Sequence, residues 1–464
     1  MASFGLVEDF DYELPDGTTS EWWNHFCGGA IVAENAILTA SHCFKNEPNG
    51  SIQIKLGDEY LNTPTDDDLV QIHDVNTIIK HPNYQEGRDF DVAVVFTNKK
   101  IEVTKNVKPI CLPTESKTNE DSWSGHTVYL TGWGLIDEWE HRENDSLNEA
   151  RITAYRKSTC SRFYDDLNTN VLCAGHERGE LGSCPGDSGS PLTTYFGWKN
   201  PPYYQLIGVL HGSSDHCLQP PIEAPGIYAR IEAPEILSFI EPALKYPTDM
   251  YNAAKSGNLQ EIERLSGLMS NINPVSIDEL DGWTIFHYAA FFGHLDIVEF
   301  YTNRLEDKNP MDYANDKYKG RTPLHFAAWQ GHLDVVQHIT SLLVNKNPSD
   351  DNGYTVLHLA SSYGHIEIVR HFTSILSDKM PKTGPYWKER LPIHSAAQKG
   401  HQEVVEFFIQ FLEDDINPPD NRGWTVLHYA ANYGQLNIIR LYEELVDNVN
   451  PKQNSSDEFN ERTP

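Results

Sequence analysis

One pattern recurs through the second half of the chain and constrains its fold more than any other feature. In its fullest form it reads Thr-x-x-His-x-Ala-Ala-x-x-Gly-His-x-x-x-Val. Five copies of the pattern, some with small changes, occupy residues 284–298, 322–336, 355–369, 391–405 and 425–439. The glycines of these copies are separated by 38, 33, 36 and 34 residues. A period of this length indicates a stack of supersecondary units, none of which buries its apolar face alone.

The residue types inside each copy indicate two short helices. The alanine pair allows the helices to approach closely, and the glycine ends the first helix in a left-handed backbone conformation. Together with a partial copy at 253–262, the pattern resembles the ankyrin repeat over nearly everything from residue 249 to 464. The resemblance implies about six units and the start of a seventh, in one curved, all-α solenoid. Its concave face is expected to bind a protein partner.

Nine histidines recur at fixed positions of these repeats. They are His287, His325, His358, His394, His428, His294, His332, His365 and His401. Because they are spread along the array and not clustered at the spacing of metal ligands, we expect them to make structural hydrogen bonds.

The first half of the chain has a different composition. All seven cysteines lie between Cys27 and Cys217, which predicts an oxidised, disulfide-containing domain there and a second half that needs no disulfides. Short apolar runs at 30–38, 128–132 and 204–210, separated by Gly, Pro, Asn and Asp, predict an all-β barrel or sandwich. Helical spacing at 233–244 is followed by a Pro-containing stretch at 245–249, where we place the domain boundary.

The charge balance limits the partners. The chain has 36 Lys and Arg residues against 67 Asp and Glu residues, a net charge of −31, which disfavours nucleic acid and anionic membranes. It contains no run of 18 or more apolar residues, so the sequence predicts no membrane span. Basic or neutral proteins and peptides fit this charge better.

Three short motifs in the first half carry chemistry. His42 lies in Thr-Ala-Ser-His-Cys at 39–43, Asp91 in Arg-Asp-Phe-Asp-Val at 88–92, and Ser188 in Gly-Asp-Ser-Gly at 186–189. In this order they resemble the chymotrypsin/trypsin family of serine proteases, over residues 1–244. The resemblance implies a double β-barrel in which Ser188 is the nucleophile, His42 the general base and then acid, and Asp91 the residue that orients His42.

The resemblance also assigns supporting residues. The N–H groups of Gly186 and Ser188 would form the oxyanion hole. Asp89 is a nearby rival to Asp91, but the apolar run 92–95 favours Asp91 because it begins a buried strand. Gly182 and Gly226 would line the specificity pocket. Since Gly182 brings no carboxylate to its base, we expect cleavage after uncharged residues and not after Arg or Lys.

Cysteine matching within the family predicts three disulfides, Cys27–Cys43, Cys160–Cys173 and Cys184–Cys217. Cys111 is left without a partner in this chain. An acidic stretch at 58–68 resembles the family's calcium loop in position but lacks its carboxylate spacing, so we expect neither a metal ion nor a cofactor. The chain departs from the family at Leu210-His211-Gly212, where Ser-Trp-Gly is usual.

The N-terminal residues predict a strand that enters a long acidic loop from Glu8 to Glu21. Near the cleft such a loop could attract basic substrate residues; alternatively, it is an ordinary solvated loop. The family's Ile-Val-Gly-Gly start, whose ammonium inserts beside the residue equivalent to Asp187, is absent. We therefore expect an export signal and an activation site upstream, an extracellular protein, and weak, zymogen-like activity for the chain as written.

Two function classes follow from these motifs. The first is a serine endopeptidase whose ankyrin solenoid binds substrates or a regulator. The second is a non-catalytic, protease-like scaffold or adhesion protein. Because disulfide-bearing proteases are extracellular and ankyrin arrays are mostly cytosolic, a junction of two separate genes is a third possibility.

Overall fold

The computed structural model describes residues 1–13, 19–45, 52–62, 70–85, 89–135, 146–176, 181–212, 224–276, 282–312, 320–384, 388–412 and 415–445. The chain divides into two compact units. The first, the barrel unit, comprises Met1–Thr248 and Arg264–Ile277. The second, the repeat unit, comprises Asp249–Glu263 and Asp278–Pro464. No helix in the described ranges is both long and apolar enough to cross a membrane.

The barrel unit begins with a closed antiparallel barrel of six strands. Its strands are β1 (Ala2–Glu13), β2 (Thr19–Ala33), β3 (Ala36–Thr39), β4 (Gln53–Leu56), β5 (Gln71–Lys80) and β6 (Ala93–Thr97). They are hydrogen-bonded in the order β1-β2-β3-β6-β5-β4. Phe4, Ile37, Ile54 and Val95 are among the apolar side chains that fill its core, each with no exposed surface. A short 3₁₀ turn, Ser41–Phe44, follows β3.

A second closed barrel of six strands follows. It contains β7 (Thr127–Gly132), β8 (Asn148–Ala154), β9 (Val171–Gly175), β10 (Pro191–Phe196), β11 (Tyr203–Gly212) and β12 (Gly226–Arg230), in the order β10-β11-β12-β9-β8-β7. A short helix, α1 (Lys157–Cys160), precedes β9, and α2 (Pro234–Ala243) follows the last strand. Two barrels confirm the double-barrel fold that the resemblance implied, and α2 confirms the helical spacing at 233–244.

The expected acidic loop is instead mostly a two-stranded ribbon. β1 and β2 pair from Ala2 opposite Gly29 out to Glu13 opposite Thr19. The prediction of a loop from Glu8 to Glu21 was therefore wrong for residues 8–13 and 19–21, and residues 14–18 lie outside the described ranges. Aromatic residues alternate with the acidic ones in this segment, as in Asp-Phe-Asp-Tyr at 9–12, and aromatic residues favour strands enough to outweigh the charges.

A segment distant in sequence completes the barrel unit at β5. The Asn76 amide donates to the Val275 carbonyl and accepts from the Val275 N–H, both at 2.9 Å. Ile78 and Ser270 exchange two further hydrogen bonds, at 2.8 and 2.9 Å. Asn271 adds a bond from its side-chain amide to the Asn76 carbonyl at 2.9 Å. Residues 270–275 therefore satisfy backbone groups of β5 that would otherwise need water.

The helices that follow the barrels come in successive pairs separated by short turns. Their bounds are α3 (Tyr246–Ser256), α4 (Leu259–Ser266), α5 (Ile285–Phe292), α6 (Leu295–Arg304), α7 (Pro323–Gln330), α8 (Leu333–Leu342), α9 (Val356–Ser362), α10 (Ile366–Ile375), α11 (Pro392–Lys399), α12 (Gln402–Ile409), α13 (Val426–Asn432) and α14 (Leu436–Leu445). The repeat glycines adopt the left-handed conformation expected from the sequence, with φ of 79° at Gly293 and 89° at Gly331.

The repeat histidines make structural hydrogen bonds, as the sequence predicted. At the start of α9, His358 Nδ1 accepts from the Thr355 N–H at 3.3 Å, and its Nε2 donates to the Arg390 carbonyl of the next repeat at 2.9 Å. His365 donates instead to the preceding repeat, from Nε2 to the Trp329 carbonyl at 2.8 Å. These bonds join neighbouring repeats and add to the packing of their apolar faces.

Candidate active site

His42 lies in the 3₁₀ turn that follows β3, at the end of the first barrel. The Ser41 hydroxyl donates to the Val92 carbonyl at 2.8 Å, and a disulfide joins the neighbouring Cys43 to Cys27 on β2. This turn is thus anchored on both sides of the histidine. The His42 side chain keeps 26% of its surface exposed, so it is reachable from solvent.

Asp91 lies two residues before β6 and faces this turn. Its carboxylate is completely buried; Oδ2 accepts from His42 Nδ1 at 2.6 Å and Oδ1 from the His42 N–H at 2.9 Å. Asp89 is half-buried and makes no such contact within the described ranges. Burial opposes ionisation of Asp91, but hydrogen bonds from His211 and His42 and the charge of both rings hold its pKa down to about 2. Asp91 is therefore ionised at neutral pH.

A second histidine, His211 near the end of β11, contacts the same carboxylate. Its Nδ1 hydrogen-bonds Asp91 Oδ2, the oxygen already bound by His42. The two imidazole rings stand 5.3 Å apart at 75°. Sequence reasoning missed this contact. Its one signal was the departure from the family at residues 210–212, which gives no indication of a partner 120 residues away.

Ser188 lies in a loop held between the two barrels. Its carbonyl accepts from the Gly28 N–H on β2 at 2.7 Å, and the next N–H, that of Gly189, donates to the Leu210 carbonyl on β11 at 2.8 Å. Gly189 has φ of +77°, and a Cβ there would lie 2.2 Å from Thr39 Oγ1. Only glycine fits, and this places Ser188 beside the end of β3 that leads to His42. Within the described ranges, the half-buried Ser188 makes no hydrogen bond to His42.

The backbone before Ser188 offers two donors. Neither the Gly186 N–H nor the Ser188 N–H has a hydrogen-bond partner in the described part of the chain. The Gly186 carbonyl accepts from His25 Nε2 at 2.9 Å. Burial lowers the pKa of His25 to about 4, so this ring is neutral at pH 7. Two free N–H groups beside a serine hydroxyl are what an oxyanion requires.

Asp187, between these two donors, is buried and takes part in backbone contacts only. It accepts from the Gly134 N–H at 2.8 Å and from the Cys184 N–H at 2.9 Å. Burial raises its pKa to about 6, and these two bonds only partly oppose the shift. Among the described residues, no cation forms an ion pair with Asp187.

Comparison with known proteins indicates the family to which the barrel unit belongs. Residues 13–240 match the family model described as Trypsin. Over 224 residues the chain is 32% identical to the venom protease of Bombus pensylvanicus, a match that covers 47% of this chain and 86% of that protein. The chain belongs to the trypsin family. Its second half matches ankyrin repeats at residues 250–341, 352–374 and 373–455.

Longer trypsin-family proteins match the same region. Clotting factor C of Tachypleus tridentatus is 34% identical over 183 residues, which cover 37% of this chain. Transmembrane protease serine 9 of Rattus norvegicus is 30% identical over 234 residues, which cover 49% of this chain. The match spans 18% of the first protein and 21% of the second.

The trypsin-family unit contains two of the three disulfides expected from the sequence, Cys27–Cys43 and Cys160–Cys173, with Cα atoms 6.2 and 6.4 Å apart. Cys217 lies outside the described ranges. Cys111 is exposed and forms no disulfide in the described part of the chain. In the stretch expected to resemble a calcium loop, Asp58 forms an ion pair with Lys55 at 3.0 Å, and residues 63–69 lie outside the description.

The two glycines expected in the specificity pocket lie on adjacent segments. A Cβ on Gly226 would lie 3.2 Å from the hydroxyl oxygen of Ser183, the residue after Gly182. A Cβ on Gly182 would meet no atom within 4 Å. Gly182 opens onto a cleft whose lining includes the apolar Leu130 and Leu181 and the acidic Glu149 and Asp187. Residues 213–223, which connect β11 to β12, lie outside the described ranges.

Proposed function

We propose that the barrel unit is a serine endopeptidase that hydrolyses peptide bonds through Ser188, His42 and Asp91. The observation that carries the proposal is the fully buried, ionised Asp91 hydrogen-bonded to His42 Nδ1 at 2.6 Å. This bond fixes the proton on Nδ1 and leaves Nε2 as the base. A serine hydroxyl needs such a base because it is a weak nucleophile at neutral pH.

In the proposed reaction, Ser188 Oγ attacks the carbonyl carbon of the scissile bond while its proton passes to His42 Nε2. The Gly186 and Ser188 N–H groups stabilise the resulting oxyanion, at about 3 kcal/mol per donor. His42 then protonates the leaving amine, and the C–N bond breaks. Water, deprotonated by His42, releases the acyl group from Ser188.

The specificity we propose is for an uncharged residue before the scissile bond. Gly182 brings no carboxylate to the cleft base, and the space at its missing side chain is open. A panel of peptide substrates tests this. Leu or Phe should be cleaved faster than Arg; the reverse order would contradict it.

We further propose that the repeat unit binds a protein partner and that the protein acts outside the cell. The two disulfides of the described ranges favour an oxidising compartment, and a venom protease is among the relatives. Mass spectrometry of the unreduced protein from its source should recover peptides joined through Cys27 and Cys43. Recovery of both as free thiols would contradict an oxidising location.

Covalent labelling tests the catalytic proposal. The full chain is incubated with a fluorophosphonate probe, which reacts with activated serines, beside Ser188→Ala and His42→Ala variants. Wild type should be labelled at Ser188 and neither variant should be. Unlabelled wild type that melts cooperatively would count against the proposal.

One observation favours a second candidate, a non-catalytic, protease-like scaffold acting through its ankyrin repeats. Asp187 is buried without a cation partner in the described ranges, and the neighbouring Gly186 carbonyl is held by His25. In this candidate the two N–H groups beside Ser188 are not held in place for an oxyanion, because no ion pair among the described residues fixes Asp187 between them. Labelling decides between the candidates, since only an activated Ser188 reacts.

A further inference from the structure

Three side chains of the kinds that bind metal ions, those of His42, Asp91 and His211, lie close together. His42 Nδ1 and His211 Nδ1 approach the same carboxylate oxygen, and one ligand atom from each of the three residues lies within 4.8 Å of the others. The described residues contain one other group of this kind, made of Cys27, His42 and Cys43. Its two cysteines are joined in a disulfide and are not available as thiolates.

We propose that His42, Asp91 and His211 form a binding site for a zinc ion. Imidazole nitrogen and carboxylate oxygen are zinc ligands at about 2.0–2.1 Å, and three protein ligands with one water make a tetrahedral site. The sequence alone predicted no metal ion at these residues.

Two adjustments of the side chains make room for the ion. For zinc–ligand bonds of about 2.0–2.1 Å, tetrahedral ligand atoms lie about 3.3 Å apart. His42 Nδ1 and Asp91 Oδ2 are 2.6 Å apart, so this separation must widen by about 0.7 Å, and both imidazoles must turn until their Nδ1 lone pairs face an ion beside Oδ2. Asp91 Oδ1 stays on the His42 N–H, which leaves Oδ2 as a single ligand atom. The His42 and His211 side chains are 26% and 23% exposed and that of Asp91 is buried, so an ion and its fourth ligand, a water, would enter past the two imidazole rings.

Charge favours occupation. Asp91 supplies the one carboxylate of the cluster, and an imidazole that binds an ion through its lone pair is an uncharged ligand. No lysine or arginine forms an ion pair with Asp91 in the described ranges. A divalent cation would replace the two hydrogen bonds that Asp91 Oδ2 accepts from His42 and His211 with one stronger electrostatic attraction.

Zinc at this site would inhibit the reaction proposed above, and this consequence rests on the proposed function. Each neutral ring keeps one proton. When zinc takes Nδ1, that proton moves through solvent to Nε2, and no proton is gained or lost overall. His42 Nε2 then carries a hydrogen and has no lone pair to accept the Ser188 proton. Zinc removal restores the original tautomer.

Direct binding tests the site without any need for activity. The metal-stripped full chain competes for Zn²⁺ with a chromophoric chelator, beside His211→Gln, His42→Gln and, as the control, His126→Gln, which changes an exposed histidine of the same unit. Glutamine keeps an amide donor for Asp91 but is a poor zinc ligand. Loss of an outer hydrogen-bond partner costs a metal site 10–100-fold in affinity, so loss of a ligand should cost at least about 100-fold.

We expect wild type and His126→Gln to bind one more tight equivalent of zinc than His211→Gln and His42→Gln. Equal stoichiometry and affinity in all four proteins would overturn the site, because weak binding by repeat histidines is common to all of them. If both cluster variants fail to fold, Co²⁺ bound to wild type decides instead. Intense visible absorption of tetrahedral Co²⁺, displaced by one equivalent of Zn²⁺, supports the site; its absence overturns it.

Fluorophosphonate labelling of wild type with Zn²⁺ or with EDTA tests the inhibition separately. Slower labelling in zinc, reversed by EDTA, supports it. Zinc binding at the cluster without slower labelling overturns the inhibitory role. If wild type is never labelled, the proposed protease function fails, while the binding experiment still decides the zinc site.

Discussion

Acid should destabilise the repeat unit through four buried histidines. Burial lowers the pKa of His287, His358 and His394 to about 4 and that of His325 to about 3, against an ordinary value of 6.5. The folded state therefore favours the neutral ring, and the unfolded state binds more protons between pH 6.5 and 4. The stabilisation that these four histidines contribute is fully present above pH 6.5, and it falls as the pH is lowered from 6.5 towards 4.

The size of the effect follows from these shifts. Between pH 7.5 and 5.5 each histidine should lose about 1.3 kcal/mol of stabilisation, so four that unfold in one step should lose about 5 kcal/mol. Since all four rings are completely buried, solvent screening requires no discount. The range stays above the isoelectric point of about 4.9, where low net charge would promote aggregation.

Urea unfolding of the full chain at both pH values, followed by helical circular dichroism, measures this. His358→Gln should remove about a quarter of the pH dependence, because glutamine can accept the Thr355 N–H at this helix start without titrating. A helical transition whose free energy is independent of pH, or rises on acidification, would refute the reasoning.

Three further predictions concern the barrel unit. Gly189→Ala would place a Cβ 2.2 Å from Thr39 Oγ1 at φ of +77°, so it should cost about 1–3 kcal/mol and abolish labelling of Ser188; labelling at the wild-type rate would contradict the loop geometry. Asn76→Ala removes both hydrogen bonds to Val275 and should destabilise the segment by about 2 kcal/mol, seen as faster exchange of the Val275 amide hydrogen; unchanged exchange would exclude a role for these bonds. Replacement of Cys27 and Cys43 by serine opens a loop of 16 residues and should lower the free energy of unfolding by about 3 kcal/mol in chemical denaturation, a loss that should be absent when wild type is already reduced.

The sequence was sufficient for the features that are local or that occur in a fixed order. The repeat glycines carry their left-handed conformation in their own residue type, and Gly331 shows it. The order of His42, Asp91 and Ser188 with their flanking residues was enough to indicate a double barrel. The apolar run after Asp91 distinguished the buried aspartate from Asp89, because the chain is already buried where it leads into β6.

Contacts between distant segments were not predictable. His211 reaches Asp91 from 120 residues away, and Val275 reaches Asn76 from 199 residues away. Neither pair has a spacing or periodicity that a single sequence could reveal, since both depend on how two closed barrels and the chain after them are packed. The prediction of an acidic loop from Glu8 to Glu21 was wrong for another reason. The charges of this segment suggested a loop, while pairing of β1 with β2 determined its structure.

Peptide-bond hydrolysis tests the central proposal most directly. The purified full chain and its Ser188→Ala variant are incubated with a mixed peptide library in EDTA, and new termini are identified by mass spectrometry. Wild type should produce new peptide termini after uncharged residues, and Ser188→Ala should produce none. Equal cleavage by both proteins would show that Ser188 does not carry the reaction, and no cleavage by folded wild type would favour the scaffold.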